Sequence, residues 1–162
     1  MLMRLDPLIA LARPCDSLVS SLQGPCWPMV FVTGGLIAGV ACIILALADS
    51  VVLWIIGLVL VGWTVLCLFA TSWGNPGIVP RHTDKDHCPE EGWTWQERAG
   101  CWKPRDAAFD EESQTLIRKF DHFCPWTGTA IGGQNMTCFT CFTSTLCILI
   151  CFVVVVLVVK VF

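Results

Sequence analysis

Charge is what this sequence has least of. Only 14% of its 162 residues are Asp, Glu, Lys or Arg, against 55% hydrophobic. That balance excludes an ordinary soluble domain of this size and points to a membrane protein. A basic excess is lacking too. The formal net charge is −3, so the chain has no electrostatic footprint for nucleic acid. Residues 1–28 lack the short uninterrupted apolar core of a secretory leader, because Arg4, Asp6, Pro7, Arg13, Pro14 and Asp16 break them up. They read as a cytosolic tail, with Cys15 and Cys26 more simply unmodified thiols than lipid attachment sites. Cysteine is plentiful, at 11 residues, but not in the pattern of a disulfide framework. Cys42, Cys67, Cys147 and Cys151 sit inside apolar runs, where a free thiol behaves as a small hydrophobe. Cys88, Cys101 and Cys124 lie in a central polar loop, which reads as reducing and cytosol-facing.

The apolar runs set the architecture. Residues 29–48 and 51–70 carry no charge, and each has the ~20 residues that a bilayer core requires. Asp49-Ser50 joins them, so residues 29–70 predict a transmembrane hairpin. Gly34, Gly35 and Gly39 offer places where another helix could approach. Residues 139–162 predict a third span, with Lys160 able to snorkel at its end. Between them, residues 71–138 form the polar loop. The expected fold is therefore an α-helical integral membrane protein: a transmembrane hairpin, a cytosolic loop domain with little regular sheet, and a third transmembrane helix. Orientation follows from Arg81, Lys85, Arg98, Lys103, Arg105, Arg118 and Lys119 in the loop, against no Lys or Arg at Asp49-Ser50. The positive-inside rule puts tail and loop in the cytosol.

Within the loop, Gly74-Asn75-Pro76-Gly77 is a turn signal. His82, His87, Cys88 and Cys101 have the residue types of a metal site but form no Cys-x-x-Cys pair, the spacing that structural zinc sites use. Asp106, Asp110, Glu111 and Glu112 read as a solvated acidic face or helix start. Leu116, Phe120 and Phe123 follow at helical spacing and predict a short amphipathic helix.

That helix would lead into the densest chemistry in the chain, Asp121-His122-Phe123-Cys124-Pro125-Trp126. A thiolate is a nucleophile, an imidazole can take its proton, and a carboxylate can orient the imidazole. Asp121, His122 and Cys124 bring those three groups within four residues beside a membrane, which suggests acyl chemistry on lipid-like substrates. The run continues to Phe139. It resembles the signature of the DHHC-type protein S-acyltransferases, or palmitoyltransferases, which reads Asp-His-His-Cys-Pro-Trp-Val-x-Asn-Cys-Val-Gly-x-x-Asn-x-x-x-Phe. Asp121, His122, Cys124, Pro125, Trp126, Gly132, Asn135 and Phe139 match it without a gap. Asn75-Pro76-Gly77 is similar to the family's Asp-Pro-Gly motif, and Lys103-Pro104 to a remnant of its Arg-Pro-Pro-Arg segment.

The resemblance implies a protein-cysteine S-palmitoyltransferase. Acyl-CoA is then the co-substrate, and proteins with membrane-proximal cysteines are the acceptors. Cys124 becomes the nucleophile, His122 the general base, Asp121 the group that orients it, and Trp126 a neighbour of the acyl-CoA thioester. The acyl chain would lie among the transmembrane helices. The resemblance also implies zinc, but the positions of its ligands read Phe123, Ala130, Leu116, Ser113, Asp110 and Phe109. Zinc is therefore expected to be absent or reduced relative to the family. The family's fourth span and Thr-Thr-x-Glu motif do not appear, which fits a minimal member, a fragment or a truncated gene model. The alternative reading is a catalytically inactive membrane scaffold or truncated remnant. Either version is expected in the endoplasmic reticulum, Golgi or plasma membrane.

Overall fold

The computed structural model describes residues 26–161. The readings of the tail before Cys26, Cys15 included, lie outside the described residues. Three long helices carry the described residues: α1 (Met29–Leu47), α2 (Val51–Trp73) and α3 (Met136–Val161). All three are long and apolar enough to cross a bilayer. At a rise of 1.5 Å per residue they measure about 28, 34 and 39 Å. Each keeps a narrow seam for its neighbours and leaves most of its apolar surface outward, as lipid requires.

On α1 the seam is Val30, Ile37 and Ile44, seven residues apart, which brings each back to one face. They pack with Leu68 of α2 and with Phe142 and Leu149 of α3. The close approach falls at Gly57, not at the α1 glycines. A Cβ on Gly57 would stand 2.7 Å from Ile44 Cγ2 and 3.1 Å from Phe152 Cε1, whereas Gly35 and Gly39 have nothing within 4 Å. Small residues mark possible contacts in sequence, but the seam's direction decides which are used. At the hairpin turn, Ser50 caps α2 by accepting from the Val52 amide at 3.3 Å. Lys160 donates to Asp49 Oδ1 at 2.6 Å, so the far end of α3 meets the α1–α2 turn and the polar residues gather at the opposite end.

Those polar residues contain more sheet than expected. Seven short strands follow α2: β1 (Ile78–Val79), β2 (Thr94–Gln96), β3 (Cys101–Lys103), β4 (Ala107–Asp110), β5 (Thr115–Arg118), β6 (His122–Cys124) and β7 (Thr129–Ile131). They form a three-stranded sheet in the order β1-β5-β4 and the hairpins β2-β3 and β6-β7. The short helix expected around Leu116–Phe123 does not form. Leu116 and Ile117 are both fully buried, as befits a central strand covered on two faces, and Lys119 breaks the run with φ 48°. Ile117 pairs with Ile78 on one side and Ala108 on the other, a non-local arrangement that helical spacing does not report.

The acidic run is not a uniform solvated face either. Asp110 is buried, and its carboxylate accepts from the Ser113 amide at 3.0 Å and the Ser113 hydroxyl at 2.5 Å, closing the β4–β5 turn. Asp106 pairs with Arg118 at 3.1 Å, and Glu111 with Arg98 at 2.6 Å. Asn75 organises the exit from α2 in the same way, its Oδ1 accepting from the Gly77 and Ile78 amides at 2.8 and 3.0 Å. Replacing Asn75 with alanine is expected to cost about 1 kcal/mol, read as a lower melting temperature in detergent micelles.

Candidate active site

The thiol, imidazole and carboxylate lie on the β6–β7 hairpin. His122 pairs with Ile131, Phe123 with Ala130 and Cys124 with Thr129. Side chains alternate along a strand, so His122 and Cys124 share one face and Phe123 and Ala130 share the other. Asp121 enters the ladder through its amide, which donates to the Ile131 carbonyl at 2.9 Å. Its Oδ2 stands 2.7 Å from His122 Nδ1, a contact that leaves Nε2 free of the carboxylate. From α3, the Phe139 ring meets the imidazole edge-on with centroids 5.2 Å apart. Cys124 is only 6% exposed, while the His122 and Asp121 side chains are 40% and 57% exposed. Among the described residues no hydrogen bond joins the His122 ring to the Cys124 thiol. Such contacts commonly tighten only with substrate in place.

The loop after Cys124 is held from two sides. The Gly128 amide donates to the Pro125 carbonyl at 3.0 Å, with Gly128 at φ 68°, a left-handed value that favours glycine. A Cβ there would also stand 2.8 Å from the Cys26 carbonyl oxygen and from Trp27 Cα, so this loop presses on the start of α1. The Thr33 hydroxyl of α1 donates to the Trp126 carbonyl at 2.7 Å, while the Trp126 side chain is 58% exposed. Sequence reasoning missed Thr33. Its only signal is a buried hydroxyl within an apolar span, and the partner is 93 residues away. Thr33→Val should cost about 1 kcal/mol by leaving that carbonyl without its donor, and a melting curve checks it.

Asn135 and Gly132 also acquire physical roles. Asn135 is buried, accepts from the Gly132 amide at 2.9 Å, and donates to the Ala130 carbonyl at 2.9 Å and the Thr71 carbonyl at 3.4 Å. One amide side chain thus brackets β7, the start of α3 and the end of α2. Gly132 lies where a Cβ would strike Ile117 Cγ2 at 2.5 Å and the Pro76 carbonyl closer still.

Metal chemistry finds no donor set here. Phe123 and Ala130 face each other across the hairpin and carry no lone pair for an ion. Among the described residues, no group of three or more His, Cys, Asp or Glu side chains could hold a metal. His82, His87, Cys88 and Cys101 are accordingly not gathered. His82 packs its ring against Trp93 at 5.5 Å, exposed Cys88 donates to the Glu90 carbonyl at 3.0 Å, and Cys101 is fully buried beside Val79, Ala107 and Leu116. Burial pushes the Cys101 thiol up, against the opposing pull of Arg81, and so favours its protonated form.

Comparison with known proteins bears on these same residues. The DHHC palmitoyltransferase family model matches residues 90–162. Palmitoyltransferase ZDHHC18-A of Danio rerio is 25% identical over a 175-residue alignment that covers 91% of this chain and 36% of that protein. Human palmitoyltransferase ZDHHC18 is 24% identical over 152 residues, covering 77% of this chain and 39% of its own length. Palmitoyltransferase AKR1 of Yarrowia lipolytica is 31% identical over 85 residues, 46% of this chain and 12% of that protein. The chain therefore spans well under half the length of each of these relatives. The segment that carries the β6–β7 hairpin and α3 is thus similar to the DHHC palmitoyltransferase family, with Asp-His-Phe-Cys at the signature and no zinc-ligand side chains at Phe123 and Ala130.

Proposed function

We propose that the chain is a protein S-acyltransferase that moves a long-chain acyl group, palmitoyl, from acyl-CoA to a protein cysteine through a thioester on Cys124. The family-model match over residues 90–162 and the names of its relatives support that class of activity. The observation that carries the mechanism is the 2.7 Å contact between Asp121 Oδ2 and His122 Nδ1, with Cys124 two residues along the same face of the same strand.

Asp121 holds the imidazole with Nδ1 occupied, so that Nε2 can take the Cys124 proton. The sulfur then attacks the thioester carbonyl, and the CoA thiolate leaves and takes that proton from His122. The acceptor cysteine repeats the exchange, releasing Cys124. Trp126 is proposed to flank the thioester, with the acyl chain against the apolar helices. Trp27, Phe31, Phe69 and Trp73 form a run of aromatic contacts at the polar end of α1 and α2, with successive centroids 6.0, 6.4 and 4.7 Å apart. Such residues favour the headgroup level, which supports a site at the bilayer surface. In this reading the hairpin covers 29–70, the cytosolic polar domain 71–138 and the third span 139–162, in an endomembrane or the plasma membrane.

A second reading, a non-catalytic scaffold, draws on Phe123 and Ala130, where an apolar pair replaces metal donors. One measurement separates the two. Purified chain in micelles is incubated with radiolabelled palmitoyl-CoA, treated with hydroxylamine, and digested to locate the label. Hydroxylamine-released label on the Cys124 peptide is the expected result. No label, or label on another cysteine alone, sinks the acyl-enzyme and leaves the scaffold.

A further inference from the structure

One thiol pair plays no part in that chemistry. Cys67 of α2 and Cys141 of α3 lie 74 residues apart in sequence, yet their sulfurs are 3.2 Å apart. Both are free thiols, Cys67 only 6% exposed and Cys141 partly exposed. A disulfide needs the sulfurs about 1.2 Å closer, a small movement for two side chains already in contact. We propose that Cys67 and Cys141 form an oxidisable dithiol, a modification site whose disulfide staples α2 to α3 beneath the polar domain. This inference stands whether or not Cys124 carries acyl groups.

Its position gives the bond a consequence. The Cys67 carbonyl accepts from the Thr71 hydroxyl at 2.8 Å, and the Thr71 carbonyl accepts from Asn135 at 3.4 Å. A disulfide would thus fix the helix pair one turn from the bracket that holds β7. It would also close a loop containing every strand of the polar domain and Cys124. Cross-linking a loop that long removes much conformational freedom from the unfolded chain.

The surroundings point to the oxidant. Both thiols lie within spans that face lipid, so the fitting class is a lipophilic hydroperoxide. The more accessible Cys141 sulfur attacks the peroxide oxygen, the alcohol leaves, and a sulfenic acid forms. Cys67 sulfur then attacks Cys141 sulfur and water leaves. Two thiols and one hydroperoxide become one disulfide, one alcohol and one water. A thiol reductant reverses the bond.

The test uses the full chain in lipid nanodiscs, with cumene hydroperoxide as the probe. After free thiols are blocked, mass spectrometry of non-reduced peptides locates any cross-link in the unmutated protein. The expected product joins the Cys67 peptide to the Cys141 peptide and disappears with dithiothreitol. The oxidised chain should also resist proteolysis of the polar domain at least several-fold longer, a gain lost in Cys141→Ser. Linkage of Cys138 to Cys141 instead, cross-links only between chains, or no Cys67–Cys141 product when methionines are already oxidised would each overturn the proposal. Because the linkage is mapped in the unmutated chain, a variant that fails to fold leaves the result intact.

Discussion

Asp121→Asn will reduce Cys124 acylation by roughly 10²- to 10⁴-fold while leaving the fold in place. The substitution keeps the size and planarity of the side chain, and the Asp121 amide keeps its bond to the Ile131 carbonyl in the β6–β7 ladder. What changes is the partner of His122 Nδ1. A carboxylate oxygen can only accept, so the 2.7 Å contact selects the tautomer with its proton on Nδ1 and a free lone pair on Nε2. An asparagine amide can donate to Nδ1 instead, placing the ring proton on Nε2, where it blocks transfer from the thiol. The rate of label uptake from palmitoyl-CoA, measured against an unchanged melting temperature, reads this loss. His122→Ala should lose at least as much, and Cys124→Ser should hold no hydroxylamine-released label. If Asp121→Asn acylates Cys124 at the original rate, the carboxylate has no part in the chemistry, and the oriented-base mechanism is wrong.

The sequence discloses those residues because they are adjacent and because Pro125, Trp126, Gly132, Asn135 and Phe139 extend the same register. The helices are equally legible, since an uncharged run of ~20 residues has few other physical uses. What is hidden is everything made by distant partners. Leu116, Phe120 and Phe123 have the spacing of a helix face, yet the strand around Leu116 is fixed by pairing with Val79 and Phe109 on opposite sides. Asp110 reads as one acid in a solvated run until its turn buries it against Ser113. Thr33 and Trp126 lie too far apart for any local pattern to join them. The α1 glycines advertise a helix contact that the fold places at Gly57, because the seam is set by Ile44 and Phe152. Local chemistry and hydropathy can be read from the chain, whereas the register of short strands depends on which buried surfaces meet.

That dependence makes Gly132 and Gly133, neighbours of the same type, unequal. Gly132→Ala should destabilise the chain by about 3 kcal/mol, the upper range for forcing atoms into packed space. Its Cβ would meet the Pro76 carbonyl, Ile117 Cγ2 at 2.5 Å and the Arg118 carbonyl at 3.1 Å. None of these yields easily. The Arg118 carbonyl accepts from the Gly133 amide at 2.9 Å, the Pro76 carbonyl lies within the Asn75-capped turn, and Ile117 is completely buried in the central strand. The Gly132 amide also donates to Asn135 at 2.9 Å, so a displaced Gly132 loosens the bracket that holds β7. Gly133→Ala meets Lys119 Cβ and Cδ at 3.2 Å and the Arg118 carbonyl at 3.4 Å, contacts that a shift of a few tenths of an ångström relieves, at a cost of about 1 kcal/mol. Melting curves in the same micelles should separate the two variants by roughly 5–10 °C. Acylation should fall with stability in Gly132→Ala and hold in Gly133→Ala. Equal melting of the two would mean that the β7–α3 junction does not press on β5 and the Asn75–Gly77 turn, and the close approach that supports the hairpin would have to be abandoned.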